Sequence, residues 1–195
     1  MNDTGPSSAQ LRDELKHENY KVKYRRALTG TVAKLAIVAA VAVLVAVLWM
    51  PVLQIYGSSM TPALIEGDII VCRKTQQIER GDLIAFYYGN KLLVKRCIAL
   101  PGDIVKIDDD GNVFINGELL DEPYVTDKSL GHNDIEYPYA VPQERYFLLG
   151  DHRVTSEDSR SNTSGCVSQE QLVGRVLFRV WPLGRFGTIG GDTVR

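Results

Sequence analysis

Histidine and cysteine are scarce in this chain, with three of each among 195 residues. His17, His132 and His152 lie far apart, and Cys72, Cys97 and Cys166 form no CxxC pair. Neither set has the spacing of a zinc site, so no metal or cofactor is implied. Cys72 and Cys97 sit inside apolar stretches and read as core residues. A disulfide would require an oxidising compartment, and the spacing does not select a pair. An excess of one charge is missing too. The formal net charge is -2, which leaves no basic surface for nucleic acid. There is no internal repeat, so a stacked-repeat architecture is excluded.

What the chain does have is one long apolar run. Residues 35–53 carry no charge and are mostly Ala, Val and Leu. About 19 helical residues reach roughly 28 Å, close to the hydrocarbon thickness of about 30 Å. Trp49 falls where an interfacial aromatic belongs. The run has no polar face, which separates it from a buried core helix. A cleaved signal peptide would have a shorter apolar core followed by a small-x-small site. The sequence Trp49-Met50-Pro51-Val52-Leu53-Gln54 suits cleavage poorly. Lys16, Lys21, Lys23, Arg25 and Arg26 precede the run, and Lys34 can snorkel. This bias puts the N-terminus in the cytoplasm and the rest of the chain outside.

Three segments follow. Residues 1–30 are expected to be a disordered, basic cytoplasmic tail, in which residues from about 9 to 28 could form a helix capped by Ser8. Residues 31–53 are expected to form the transmembrane helix. Residues 54–195, about 140 in number, suffice for one well-buried domain.

Beyond the span the hydrophobic period shortens to two. Residues 68–72, 83–88, 91–100 and 174–181 read as strands, as does Tyr146-Phe147-Leu148-Leu149. Ile104-Val105-Lys106-Ile107, Asp108-Asp109-Asp110-Gly111 and Asn112-Val113-Phe114-Ile115 make a hairpin signal. Pro123, Pro138 and Pro142 mark an irregular stretch that completes an excursion over about 103–145. A short helix is expected over residues 168–172. The domain is therefore mainly β, with coiled antiparallel sheets and many short strands.

The candidate chemistry begins at Gly57-Ser58-Ser59-Met60-Thr61-Pro62, a tight turn just after the apolar run. A serine hydroxyl needs a base to become a nucleophile. His152, in Gly150-Asp151-His152-Arg153, is one option. Lysine is the other, although its free pKa near 10.4 requires desolvation first. The strand Leu92-Leu93-Val94-Lys95-Arg96-Cys97-Ile98-Ala99 offers that setting. Alternate residues share a face, so Lys95 would lie with Leu93, Cys97 and Ala99, and Arg96 would point the other way.

Four blocks of residues, in order, resemble the bacterial type I signal peptidases. They are Gly57-Ser58-Ser59-Met60-Thr61-Pro62, then Gly67-Asp68-Ile69-Ile70-Val71, then Lys95-Arg96 with Leu100-Pro101-Gly102-Asp103, then Gly150-Asp151-His152-Arg153 through Ser156, Asp158, Ser159 and Arg160. The short ectodomain and the ending Leu177-Phe178-Arg179-Val180-Trp181-Pro182-Leu183 look like the Gram-positive type. The resemblance implies a fold of the signal-peptidase and LexA-like kind. It implies Ser59 as nucleophile and Lys95 as general base, with Ser156 orienting the lysine. It makes Asp158 and Arg160 a structural ion pair. Leu53, Ile55 and Val94 match residues that line shallow pockets for small side chains.

The oxyanion should meet the Ser59 N–H. Where some members of the family carry a serine hydroxyl as second donor, this chain has Gly57. The backbone there, or the less well-placed Ser58, is the alternative. His152 stands where asparagine is common, and Ala63 where threonine is usual. The implied partners are signal peptides of exported preproteins and the lipid bilayer, with the enzyme a monomer in the cell membrane. Two rivals remain at this level, a soluble self-cleaving repressor-like Ser-Lys peptidase and a non-catalytic membrane β-module. The anchor and the lack of a basic recognition helix disfavour the first.

Overall fold

A computed structural model describes residues 8–189 of the chain. The disordered tail expected at residues 1–7 lies outside the described residues. Helix α1 runs over Ser8–Trp49. It takes up residues 8–30, so the stretch from about 9 to 28 is helical, as its pattern allowed, and is not part of a disordered tail. An apolar window within Lys23–Trp49 is long enough to cross a membrane, and none of it is buried. The helix stops at Trp49, short of the expected 53. Pro51 follows, and the residue before a proline is pushed out of the helical region. Leu53 consequently belongs to a strand.

The chain divides into two units between Leu48 and Trp49. The second is built from strands β1 (Val52–Gln54), β2 (Ile69–Arg73), β3 (Leu83–Tyr88), β4 (Lys91–Ala99), β5 (Ile104–Ile107), β6 (Val113–Ile115), β7 (Glu118–Leu119), β8 (Tyr139–Ala140), β9 (Arg145–Leu149), β10 (Val167–Ser168), β11 (Leu172–Trp181) and β12 (Gly187–Thr188). The pairs are antiparallel and form two sheets. The larger has the order β1-β2-β11-β3-β4-β9-β10, with β12 added to β11, and the smaller has the order β7-β6-β5-β8. The smaller sheet is the excursion expected over 103–145. The short helix expected over 168–172 is a 3-10 turn, Gln169–Gln171.

Strand β4 changes partners along its length, and this positions the site. Residues 91–96 pair with β3, whereas pairing with β9 starts only at Arg96. The half from Lys91 to Lys95 thus keeps one free edge. Strand β1 is an edge strand of the same sheet. A register slip falls between Cys97 and Ala99. For this reason Ala99 packs with Ile98 and the smaller sheet, while Leu93 and Cys97 pack with Ile84, Phe86 and Leu148. The expected grouping of Ala99 with Leu93 and Cys97 is corrected by that slip. All three cysteines are buried free thiols.

Candidate active site

The Ser59 turn is held at both ends. The Ile55 N–H donates to Asp68 O at 2.8 Å, and the Gly67 N–H donates to Ile55 O at 2.9 Å. Gly57 takes φ +83°, a conformation glycine reaches at little cost. The Thr61 N–H then closes a turn onto Ser58 O at 3.0 Å. Met60 and Leu64 sink into the core beside Ile70 and Leu83, which leaves Ser59 half-buried at the edge of a groove. The Ser59 carbonyl accepts the His152 N–H at 3.1 Å, and the Ser59 N–H has no hydrogen-bond partner among the described residues.

Lys95 is only 3% exposed. Its Nζ donates to Ser156 Oγ at 2.9 Å. Burial pushes its pKa down from 10.5 to about 8. The Asp158 carboxylate pulls the other way most strongly, and the Arg160 guanidinium offsets it. A neutral amine is therefore within reach near neutral pH.

Ser59 and Ser156 meet at Gly150. A Cβ there would lie 2.2 Å from Ser156 Oγ and 2.6 Å from Ser59 O. Only a glycine lets the chain carrying Lys95's partner come this close to the turn carrying Ser59. The Gly150 N–H donates to Asp158 Oδ2 at 3.0 Å. Arg160 holds Asp158 through Nε at 2.8 Å and Nη2 at 2.9 Å, and it also donates to Leu130 O and Arg153 O. Asp158 and Arg160 thus form a buried two-point pair that fixes Gly150 and Ser156.

Several groups around the site take roles that the sequence analysis did not assign to them. Arg96, next to Lys95, pairs with buried Asp151 through Nε at 2.9 Å and Nη2 at 2.7 Å. Its guanidinium lies 3.8 Å from the centre of the Tyr124 ring. Arg153 donates to Gly150 O at 3.1 Å and pairs with Glu122. Glu122 and Tyr124 belong to the stretch read as irregular. Their only sequence signal was a glutamate and a tyrosine flanking Pro123. Arg179 of β11 donates to Ala63 O at 2.9 Å and lies 3.2 Å from Asp68, so it holds the far side of the nucleophile turn. The His152 ring is engaged by Thr155 Oγ1 at 2.7 Å, so its role at Ser59 runs through its backbone.

A groove of about 420 Å³ is lined in part by Ser59 and Met60. Leu53, Ile55 and Val94 line it, as do Gly57 and Lys91. Ser58 is exposed beside Gly57 and is not among the lining residues. The free edge of β4 and the edge strand β1 both contribute to the walls. The arrangement offers an extended peptide a strand to pair with, in a groove that Ser59 also lines.

Comparison with known proteins points to one family. The profile described as "Signal peptidase, peptidase S26" matches residues 28–181. The probable signal peptidase I-2 of Synechocystis sp. is 36% identical over 152 residues, covering 71% of this chain and 66% of that protein. Signal peptidase IB of Staphylococcus aureus is 36% identical over 153 residues, covering 68% of this chain and 78% of that protein. The crystal structure of a signal peptidase I from Enterococcus faecalis is 31% identical, with a TM-score of 0.43, and covers 51% of this chain and 96% of that one. The matched stretch spans just under two thirds of the Synechocystis relative.

Proposed function

The chain belongs to the peptidase S26 family of signal peptidases, as one of the signal peptidase I type, and from that premise we propose that it removes signal peptides from preproteins with Ser59 as nucleophile and Lys95 as general base. The carrying observation is the buried Lys95 amine, bonded to Ser156 and held through Gly150 against the Ser59 turn.

The Lys95–Ser156 bond and the free Ser59 N–H support the following steps. Ser156 Oγ accepts one N–H of neutral Lys95, which leaves the nitrogen lone pair free to turn toward Ser59. Lys95 takes the Ser59 hydroxyl proton as the oxygen attacks the carbonyl. The unpaired Ser59 N–H is one donor to the oxyanion, and the Gly57 backbone is the second. Lys95 returns the proton to the leaving amine as the peptide bond breaks, and the acyl-enzyme remains. Water then gives a proton to Lys95 and attacks the ester, and that proton passes back to Ser59 as the acid leaves.

Substrate binding uses the groove. The peptide before the cut pairs with the free edge of β4 in an extended form, and alternate side chains face Leu53, Ile55 and Val94. Those branched walls leave room for small side chains, which favours Ala-x-Ala. Helix α1 anchors the enzyme, with the basic N-terminus cytoplasmic and the catalytic unit outside. One chain supplies every group named, so a monomer suffices.

The test uses the purified full chain in detergent with a preprotein. A shortened product with a new N-terminus after a small residue is expected from the wild type and from neither Ser59→Ala nor Lys95→Ala. Wild-type cleavage by either variant would refute the dyad.

A further inference from the structure

The groove wall carries one charge. Among the residues lining it, Lys91 is the only one that carries a charge at neutral pH; Leu53, Gln54, Ile55, Tyr56, Leu92, Leu93 and Val94 are apolar or neutral. Lys91 opens β4, directly after the Gly89-Asn90 turn, and is exposed. Its side chain makes no ion pair or hydrogen bond with another described residue. The two neutral polar groups beside it are already committed to each other, since Tyr56 Oη donates to Gln54 Oε1 at 3.0 Å. Lys91 thus stands as an uncompensated cation at the end of the groove away from the chemistry.

Its position along the strand defines what it would meet. A strand advances about 3.3 Å per residue, so the four steps from Lys95 to Lys91 span about 13 Å. If a peptide pairs with the free edge of β4 and its scissile carbonyl sits at Ser59, the residue near Lys91 is four to six before the cut. We propose that Lys91 is a specificity-determining residue, one that favours a carboxylate at those positions of the substrate and disfavours a basic side chain there. This rests on the reading of the groove as the site for the residues before the cut. An exposed ion pair at the rim acts mainly on encounter and binding, so the preference lies in KM.

The experiment compares three Ala-x-Ala peptides that differ only five residues before the cut, in carrying Glu, Gln or Lys. Each is cleaved in detergent by wild type, Lys91→Gln and Lys91→Glu. The measured quantity is the ratio of kcat/KM for the Glu peptide to that for the Lys peptide within each variant. Any general loss of activity cancels in this ratio. The wild-type ratio should be roughly two to five, the size of an exposed pair, and it should collapse in 0.5 M salt. Lys91→Gln should bring it near one, and Lys91→Glu should invert it.

A ratio that Lys91→Glu leaves unchanged overturns the proposal. So does a Lys91 effect that appears only with vesicles of anionic lipid, which would assign this amine to lipid headgroups. If wild type cuts the Gln peptide but Ser59→Ala also does, the failure lies in the dyad and not in Lys91. The ratio then still decides the proposal.

Discussion

Residues 53–60 and 91–94 on one side of Ser59, and residues 150–161 on the other, spend their polar groups in opposite ways. The groove side is apolar and open, and the side chain of its one cation has no partner among the described residues. In the loop behind it, Asp151, Arg153, Ser156, Asp158, Ser159, Arg160 and Ser161 are all buried, and each is tied to a partner. Buried charges are tolerated only when paired and hydrogen-bonded. On the proposed function, the contrast teaches that a wall accepting many peptides makes few internal commitments, whereas a wall holding an amine at one place is over-determined.

Removing the groups at the seam should have the largest effect. Ser59→Ala and Lys95→Met are each expected to lower kcat/KM by on the order of a thousandfold or more. Lys95→Met should not lower the thermal midpoint at pH 7, since it removes a desolvated amine from the core. The sign can be checked by titration. With a folded pKa of about 8 against 10.5 for the free side chain, the unfolded chain binds more protons between those values. Wild-type stability should therefore rise with pH across that window, and Lys95→Met should lose this rise.

Next comes the loop. Arg153→Met strands the Glu122 carboxylate in the core and should cost about 3–5 kcal/mol in urea unfolding. The equivalent insult on the groove side should spare stability. Val94→Phe is expected to lower cleavage of Ala-x-Ala substrates about tenfold through KM, while unfolding changes by less than about 1 kcal/mol. A comparable loss of stability in the Val94 variant would break the comparison between the two walls.

The smallest effect sharpens it. Activity should rise with pH through about 8 as Lys95 becomes neutral. Glu157 is an exposed carboxylate that holds the proton on Lys95. Glu157→Gln should move that limb slightly to lower pH with little change in the plateau. A shift to higher pH would contradict the electrostatics described here.

Strands β2, β3, β4, β9 and β11 of the large sheet were legible because alternation and glycine turns are local, whereas β1, β10 and β12 have only two or three residues each and show no such pattern. The Ser59 turn and the Lys95 strand were legible for the same reason. The placing of β11 between β2 and β3 was not, since it joins segments about a hundred residues apart. Nor were Asp151 and Tyr124 as partners of Arg96, or Glu122 as partner of Arg153. Each of those contacts joins a strand to a distant loop or one loop to another. The end of the span was misplaced because hydropathy counts Val52 and Leu53 as membrane residues. Pro51 and the pairing of Val52 with Val71 decide otherwise.

Neighbouring residues alone settle how long the apolar segment is, where the chain alternates, and which serine and lysine stand in a turn and a strand. Whether that lysine can lose its proton is a sum over groups brought together from across the chain. Burial, Asp158, Arg160, Glu157 and Asp151 all enter it, and only folding sets their distances. A pKa is a property of a place, and no local stretch of sequence specifies the place.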